Sequence, residues 1–222
     1  MNRYLVLAVA AIPLGAQSIT ELTARLDQSA AAFAGAKADV RRSTYNATIH
    51  MTDVDNGTII VRRSSPGKVD FRIDFVGDNA YSFIVRGKLA DYYHPQINQA
   101  DVYDIDKRYR ELAQGLMALG FGMSGKSLQA NYTIANVRHE NVAGQSATAM
   151  DLTPKSAELT EQIHMQKVEL WISDNSSAPL KEKVYLRDGG ASTFEYSNIQ
   201  MNVKIPDSAF DLPKNTKRVK QN

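Results

Sequence analysis

The chain has 222 residues, with 26 Lys and Arg against 24 Asp and Glu, a formal charge of +2, and no cysteine. The near-neutral balance argues against a nucleic-acid binder. The lack of cysteine excludes a disulfide framework, thiolate chemistry and a lipid-acceptor cysteine.

Met1 to Arg3 is a short basic start, Tyr4 to Leu14 an apolar run, and Leu14-Gly15-Ala16 offers small residues for cleavage. That is the pattern of a signal peptide over residues 1–16, and the run is too short to span a bilayer. Cleavage would remove only Arg3 among the charges, leaving +1. Residues 17–222 then form one exported, soluble domain, since no low-complexity linker divides them. Ser18 and Glu21 have capping-box spacing, which predicts a helix from about Ile19 to Val40 with Ile19, Leu22, Leu26, Phe33 and Val40 near one stripe.

Six strand-like segments follow: Thr44 to Met51, Thr58 to Arg62, Lys68 to Phe75, Tyr81 to Arg86, Leu89 to His94 and Ala100 to Ile105. Asn56-Gly57, Pro66-Gly67, Gly77-Asp78-Asn79 and Gly87-Lys88 supply turn residues between them. The third segment alternates most regularly, with Val69, Phe71, Ile73 and Phe75 set against Lys68, Asp70, Arg72 and Asp74. Successive strand side chains point to opposite faces, so this sheet is apolar on one side and wet on the other. The segment carries no chemistry of its own, which favours binding over catalysis.

A second helix is expected from about Lys107 to Leu119, with Leu112, Leu116 and Leu119 on one face and Met117 beside them. Further strands are expected at Tyr132 to Val142, Ser146 to Leu152, Gln166 to Ser173, Leu180 to Arg187 and Ser192 to Met201, with a hairpin turn at Asp188-Gly189-Gly190 and a short helix within Ser156 to Ile163. The fold class is therefore α+β, mainly β: a curved antiparallel half-barrel of about ten strands, with two or three helices covering its concave face.

Gly120 to Ser127 satisfies the phosphate-loop pattern GxxxxGK[ST] in full. That loop works only between a buried strand and a long helix whose amides converge on phosphate. Here the run in has helical spacing and strand-like Tyr132 follows within a few residues, so the segment reads as a glycine-rich, mobile connection. His50, His94, His139 and His164 lack zinc-site spacing, no G-x-S-x-G elbow occurs, and no metal or catalytic residue is assigned. The acidic residues neither support nor refute a carboxylate-pair hydrolase.

Taken in order, GTIIVRR, FIVRGKLADYYHPQINQADVYDI, MDLTPK, VELWISDNSSAPLKEKVYL and FEYSNIQMNVKIPDSAFDLP resemble the periplasmic outer-membrane lipoprotein carrier, LolA-type, family over nearly all of the chain after residue 16. The strongest elements are Gly87, Lys88, Tyr93, Pro95 and Gln99, then Asp151 to Lys155, and the closing Asn202, Ile205-Pro-Asp and Phe210 to Pro213. The resemblance implies a monomeric periplasmic carrier without cofactor that shelters the acyl chains of lipoproteins or lipids. It would take cargo from an inner-membrane release complex and pass it to an outer-membrane receptor. It also implies that an arginine at the end of an early strand contacts the helical lid. Arg63 holds that position, but Ser64 and Ser65 stand before Pro66 where the family has proline directly, which leaves Arg62 a second candidate.

The candidate lining of the apolar cavity is Val69, Phe71, Ile73, Phe75, Phe83, Val85, Leu112, Leu116 and Met117, each of which could equally be packing between sheet and helix. A regulatory lipid or stress sensor on the same half-barrel is the alternative function. Such sensors usually carry a second domain, of which the sequence shows no sign. The basic tail of Lys214, Lys217, Arg218 and Lys220 is expected to be solvated, with contact to an acidic membrane complex as the other reading.

Overall fold

The computed structural model describes residues 14–65, 68–105, 119–161 and 163–221. Twelve strands form one open, curved sheet in the order β12-β6-β5-β4-β3-β2-β1-β11-β10-β9-β8-β7. They are β1 (Gly35–Asn46), β2 (Met51–Ser65), β3 (Lys68–Val76), β4 (Tyr81–Arg86), β5 (Leu89–His94), β6 (Gln99–Asp104), β7 (Tyr132–Val142), β8 (Gln145–Pro154), β9 (Met165–Ser173), β10 (Pro179–Leu186), β11 (Ala191–Met201) and β12 (Lys217–Lys220). Every pairing is antiparallel except that of β12 with β6. Three helices lie among the described residues: α1 (Leu14–Ala32), α2 (Gly125–Asn131) and α3 (Ala157–Glu161). The expected architecture holds, with twelve strands where about ten are expected; β12 is the one with no counterpart among the predicted segments.

Three boundaries differ, each for a physical reason. The first helix ends at Ala32, and the stretch from Gly35 is β1, where Ala36, Ala38 and Val40 are buried while Lys37 and Asp39 are exposed. That alternation has period two, and pairing with β2 and β11 on both sides holds it as strand. Asn56-Gly57 is no turn: Gly57 lies within β2 opposite Phe75, where a Cβ would sit 2.0 Å from the Asp74 carbonyl oxygen. The β1–β2 reversal occurs instead at residues 47–50, inside the segment expected as a strand from Thr44 to Met51. Ser18 does not start α1, which is already helical from Leu14.

The Pro66-Gly67 turn and the helix from Lys107 lie outside the described residues, except that Leu119 sits in a turn. The tail is not simply solvated either. Lys217–Lys220 forms β12, and Arg218 donates to Asp91 of β5 at 2.8 Å.

One face of the sheet, here the inner face, lies under the helices. Leu22 and Leu26 of α1, one helical turn apart, pack with Leu128 of α2 and Leu159 of α3 onto Met150, Leu152, Val168, Leu170 and Ile172 of β8 and β9. These side chains are almost fully buried, so this half of the inner face is a closed core. Arg25 fastens α1 by donating to the Asp174 carbonyl at 3.2 Å and to its carboxylate at 3.3 Å.

Candidate ligand-binding face

The antiparallel register places Phe71 opposite Val85, Ile73 opposite Phe83 and Phe75 opposite Tyr81. All six described candidate residues therefore share the inner face, and all but Val85 belong to a second cluster built on β1 to β4 with Phe33 and Phe121. Phe71, Ile73, Phe75 and Val85 are buried, whereas Val69 and Phe83 are half-buried. Leu112, Leu116 and Met117 lie outside the described residues.

Several residues of this face are not singled out by sequence. Tyr81, Tyr92, Phe194 and Tyr196 are half-buried on it. Tyr81 stacks on Tyr92 with centroids 4.9 Å apart, and Phe121 meets Tyr196 edge-on at 5.1 Å. At the turn end, Arg42 lies over the Phe75 ring at 4.4 Å, donates to Tyr81 Oη at 2.5 Å and pairs with Asp55 at 2.5 Å. An aromatic wall with a polar end thus adjoins the closed core. The period of β11 carries Phe194 and Tyr196 in sequence, but only the register shows which face they take.

Consecutive arginines of β2 take opposite faces, as strand geometry requires. Arg63 donates to the Ala30 carbonyl in the last turn of α1, and its own amide donates to Ala34 at 3.0 Å. Arg62 points to the outer face. It pairs with Asp70 at 2.6 Å and Asp207 at 2.5 Å, and lies over the Phe210 ring at 4.8 Å. The contact with a covering helix belongs to Arg63, while Arg62 holds the C-terminal segment.

Residues 203–212 run along the outer face, where Ile205 and Phe210 pack on Ile84, before the chain joins the sheet edge as β12. Arg72 donates to the carbonyls of Ala209 and Asp211 at 3.1 and 3.0 Å.

Gly120 to Ser127 is a packed joint rather than a loose connection. Gly122, at φ +70°, would bring a Cβ within 2.3 Å of the Phe33 ring, and Gly125 would bring one within 2.3 Å of the Thr23 carbonyl oxygen on α1. The amides that a phosphate would need are taken, Lys126 N by Asp27 at 3.2 Å and Ser127 N by Ser124 Oγ at 3.0 Å. A carboxylate already occupies the place of an anion.

Glu182 of β10 also faces inward, between Leu170 and Phe194, and is 4% exposed. Burial drives its carboxyl up to about 8, against which a hydrogen bond from Tyr196 pulls downward. Burial, with the nearby charge of Glu182, raises Tyr132 and Tyr196 as well.

The inner face of this open curved sheet is thus partly sealed by helices and partly lined by half-buried aromatic side chains. Solved structures with the fold include an uncharacterized conserved protein from Thermus thermophilus, with a TM-score of 0.54 and 11% identity over 93% of this chain and 99% of that one. MucB is similar with a TM-score of 0.55 and 14% identity over 91% of this chain, which spans 66% of MucB. A LolA superfamily protein from Nitrosomonas europaea is also among the similar structures, with a TM-score of 0.40 and 16% identity over 88% of this chain and 97% of that one. No protein-family model and no curated protein sequence matches the chain. At these identities the likeness is one of fold.

Proposed function

We propose that this protein is a periplasmic carrier, exported by a cleavable signal peptide, that shelters acyl chains against the inner face of β1 to β5 and works by binding, not catalysis. The observation that carries this reading is the contrast between the two halves of that face. Over β8 and β9 the helices leave no free surface, whereas Val69, Tyr81, Phe83, Tyr92, Phe194 and Tyr196 keep accessible apolar and aromatic surface. Each acyl methylene taken from water onto such a surface contributes about 0.8 kcal/mol, so even part of one long chain supplies a substantial driving force. Acylated lipoproteins or lipids are the cargo this face fits. Handover between an inner-membrane release complex and an outer-membrane receptor extends the reading by family resemblance.

A regulatory role is the second reading, favoured by the likeness to MucB, which has been solved in complex with MucA. Native mass spectrometry of protein taken directly from the periplasm separates the two. Co-purifying acylated peptide or lipid supports the carrier; a bound protein partner without lipid supports the regulator. Phe83→Glu is the matching perturbation, because Phe83 is half-buried and its replacement spares the core, whereas Phe71 is 1% exposed. Loss of a fluorescent acyl probe at unchanged stability is expected, and full retention of the probe counts against the face.

A further inference from the structure

Three carboxyl-bearing residues are buried among the described residues: Asp70, Asp91 and Glu182. Two are neutralised on the outer face, Asp70 by Arg62 at 2.6 Å and Asp91 by Arg218 at 2.8 Å. Glu182 is on the inner face and, among the described residues, has no cation. Among the described residues, the titratable groups around it are Tyr196 of β11, which bonds to it, and Tyr132 of β7, within electrostatic reach. Leu170 and Phe194 stand across the strands, and the cover over this stretch brings Leu22, Leu26 and Leu119. The one cation on that side of α1, Arg25, is engaged by Asp174. An unpaired buried carboxyl is costly, and a plain core position would be filled more stably by an apolar residue.

Its place is the seam between the two apolar clusters. Leu170 and Val184 belong to the closed core under the helices, while Tyr196 belongs to the β1 to β4 cluster and Phe194 touches both. A hydrocarbon chain lying along the half-buried aromatic wall would end against Glu182.

We propose, resting on the carrier reading, that Glu182 with Tyr196 and Tyr132 is the hydrogen-bonding station of this face and selects acyl ligands headed by a neutral carbonyl, an ester or amide, over free fatty-acid anions. With the Tyr196 hydroxyl donating to it, a protonated Glu182 keeps its own O–H for a ligand carbonyl oxygen. An ester accepts that bond without bringing charge into the low-dielectric seam. A carboxylate would be buried there with no cation among the described residues to meet it, and ionised Glu182 would repel it.

The test is competition for a fluorescent acyl probe on the full chain, comparing a monoacylglycerol with the fatty acid of equal chain length at pH 7. The expected result is about tenfold preference for the ester, the worth of one buried hydrogen bond. Ester affinity should fall as the pH rises through about 8, where Glu182 loses its proton. Glu182→Gln should keep ester binding and flatten that pH profile, because an amide still donates. Glu182→Leu should lower ester affinity about tenfold by removing the hydrogen bond, and so shrink the preference by that factor. Should Leu perturb folding, the flat profile of the Gln variant decides the matter. Tight binding of both ligands with equal affinity, or a Gln variant that retains the wild-type pH profile, overturns the station and leaves the carrier standing. No binding of either ligand overturns both.

Discussion

Replacing Arg62 by Met tests whether the C-terminal segment is fastened by charge. The Arg62 side chain is 16% exposed; its guanidinium meets Asp70, whose side chain is 5% exposed, at 2.6 Å, and covers the Phe210 ring at 4.8 Å. Methionine fills much of the same volume but leaves the Asp70 carboxylate buried without a cation. Orphaning one member of a buried pair costs about 3 kcal/mol or more, and the lost cation–π contact adds about 0.5–1 kcal/mol. A loss of about 3–4 kcal/mol in urea unfolding followed by circular dichroism is therefore expected. Converting Asp70 to Asn in the same chain should restore most of it, because the orphan is then neutral. Asp207, 76% exposed, should matter much less when changed to Ala. A loss below about 1 kcal/mol for Arg62→Met, or no recovery with Asp70→Asn, would refute the reasoning.

Glu182→Gln should also change stability in a pH-dependent way. Below pH 4.5 the carboxyl is protonated in folded and unfolded chains alike; between 4.5 and about 8 only the folded chain keeps the proton, so rising pH drains stability. The variant should gain about 3 kcal/mol at pH 7 and nothing near pH 4, and equal gains at both pH values in chemical denaturation would contradict the burial argument. Gly125→Ala should cost about 1–3 kcal/mol, since its methyl meets the Thr23 carbonyl oxygen at 2.3 Å; an unchanged melting temperature would show that α1 and α2 part easily. Magnesium ATP should leave the thermal transition unmoved, because Asp27 and Ser124 hold the amides of the phosphate-loop sequence, and a saturable upward shift would overturn that assignment.

Where alternation and turn chemistry agree, the sequence is an accurate guide. Tyr81–Arg86, Leu89–His94 and Tyr132–Val142 are strands at the bounds that the pattern predicts. The misreadings share a cause, which is that small residues signal weakly. Ala36 and Ala38 fit a helical stripe as readily as an alternating strand, and only pairing on both sides decides between them. Gly57 follows Asn56 as in a hairpin turn, yet it is needed where β2 passes close to the Asp74 carbonyl. Glu182, between Lys181 and Lys183, looks solvated. In the sheet those lysines point outward and put it on the apolar side. Arg62 and Arg63 are indistinguishable by type, and strand parity separates them.

The two halves of the sheet obtain their second layer from opposite sides, and this bears on how a carrier could release what it holds. Over β8 and β9 the layer is helical and inside, forming a packed core. Over β2 to β5 the segment 203–212 supplies an outer layer, with Ile205 and Phe210 on Ile84 and arginine pairs to Asp207 and Asp211, and the chain then extends the sheet as β12 on the edge of β6. Those contacts stabilise the strands from behind, so the inner aromatic wall need not be packed solid for the sheet to persist. On the proposed carrier reading, net affinity for hydrocarbon is the difference between ligand contacts and the cover contacts they displace. That difference stays moderate only if the strands' own stability does not depend on the face being emptied or filled. Severing the outer clasp at Arg62 should accordingly weaken acyl binding through loss of the sheet, whereas Phe83→Glu should weaken it with the sheet intact. Urea midpoints measured alongside probe affinity distinguish the two, and a clasp variant that keeps its stability but loses the probe would place the ligand on the outer face.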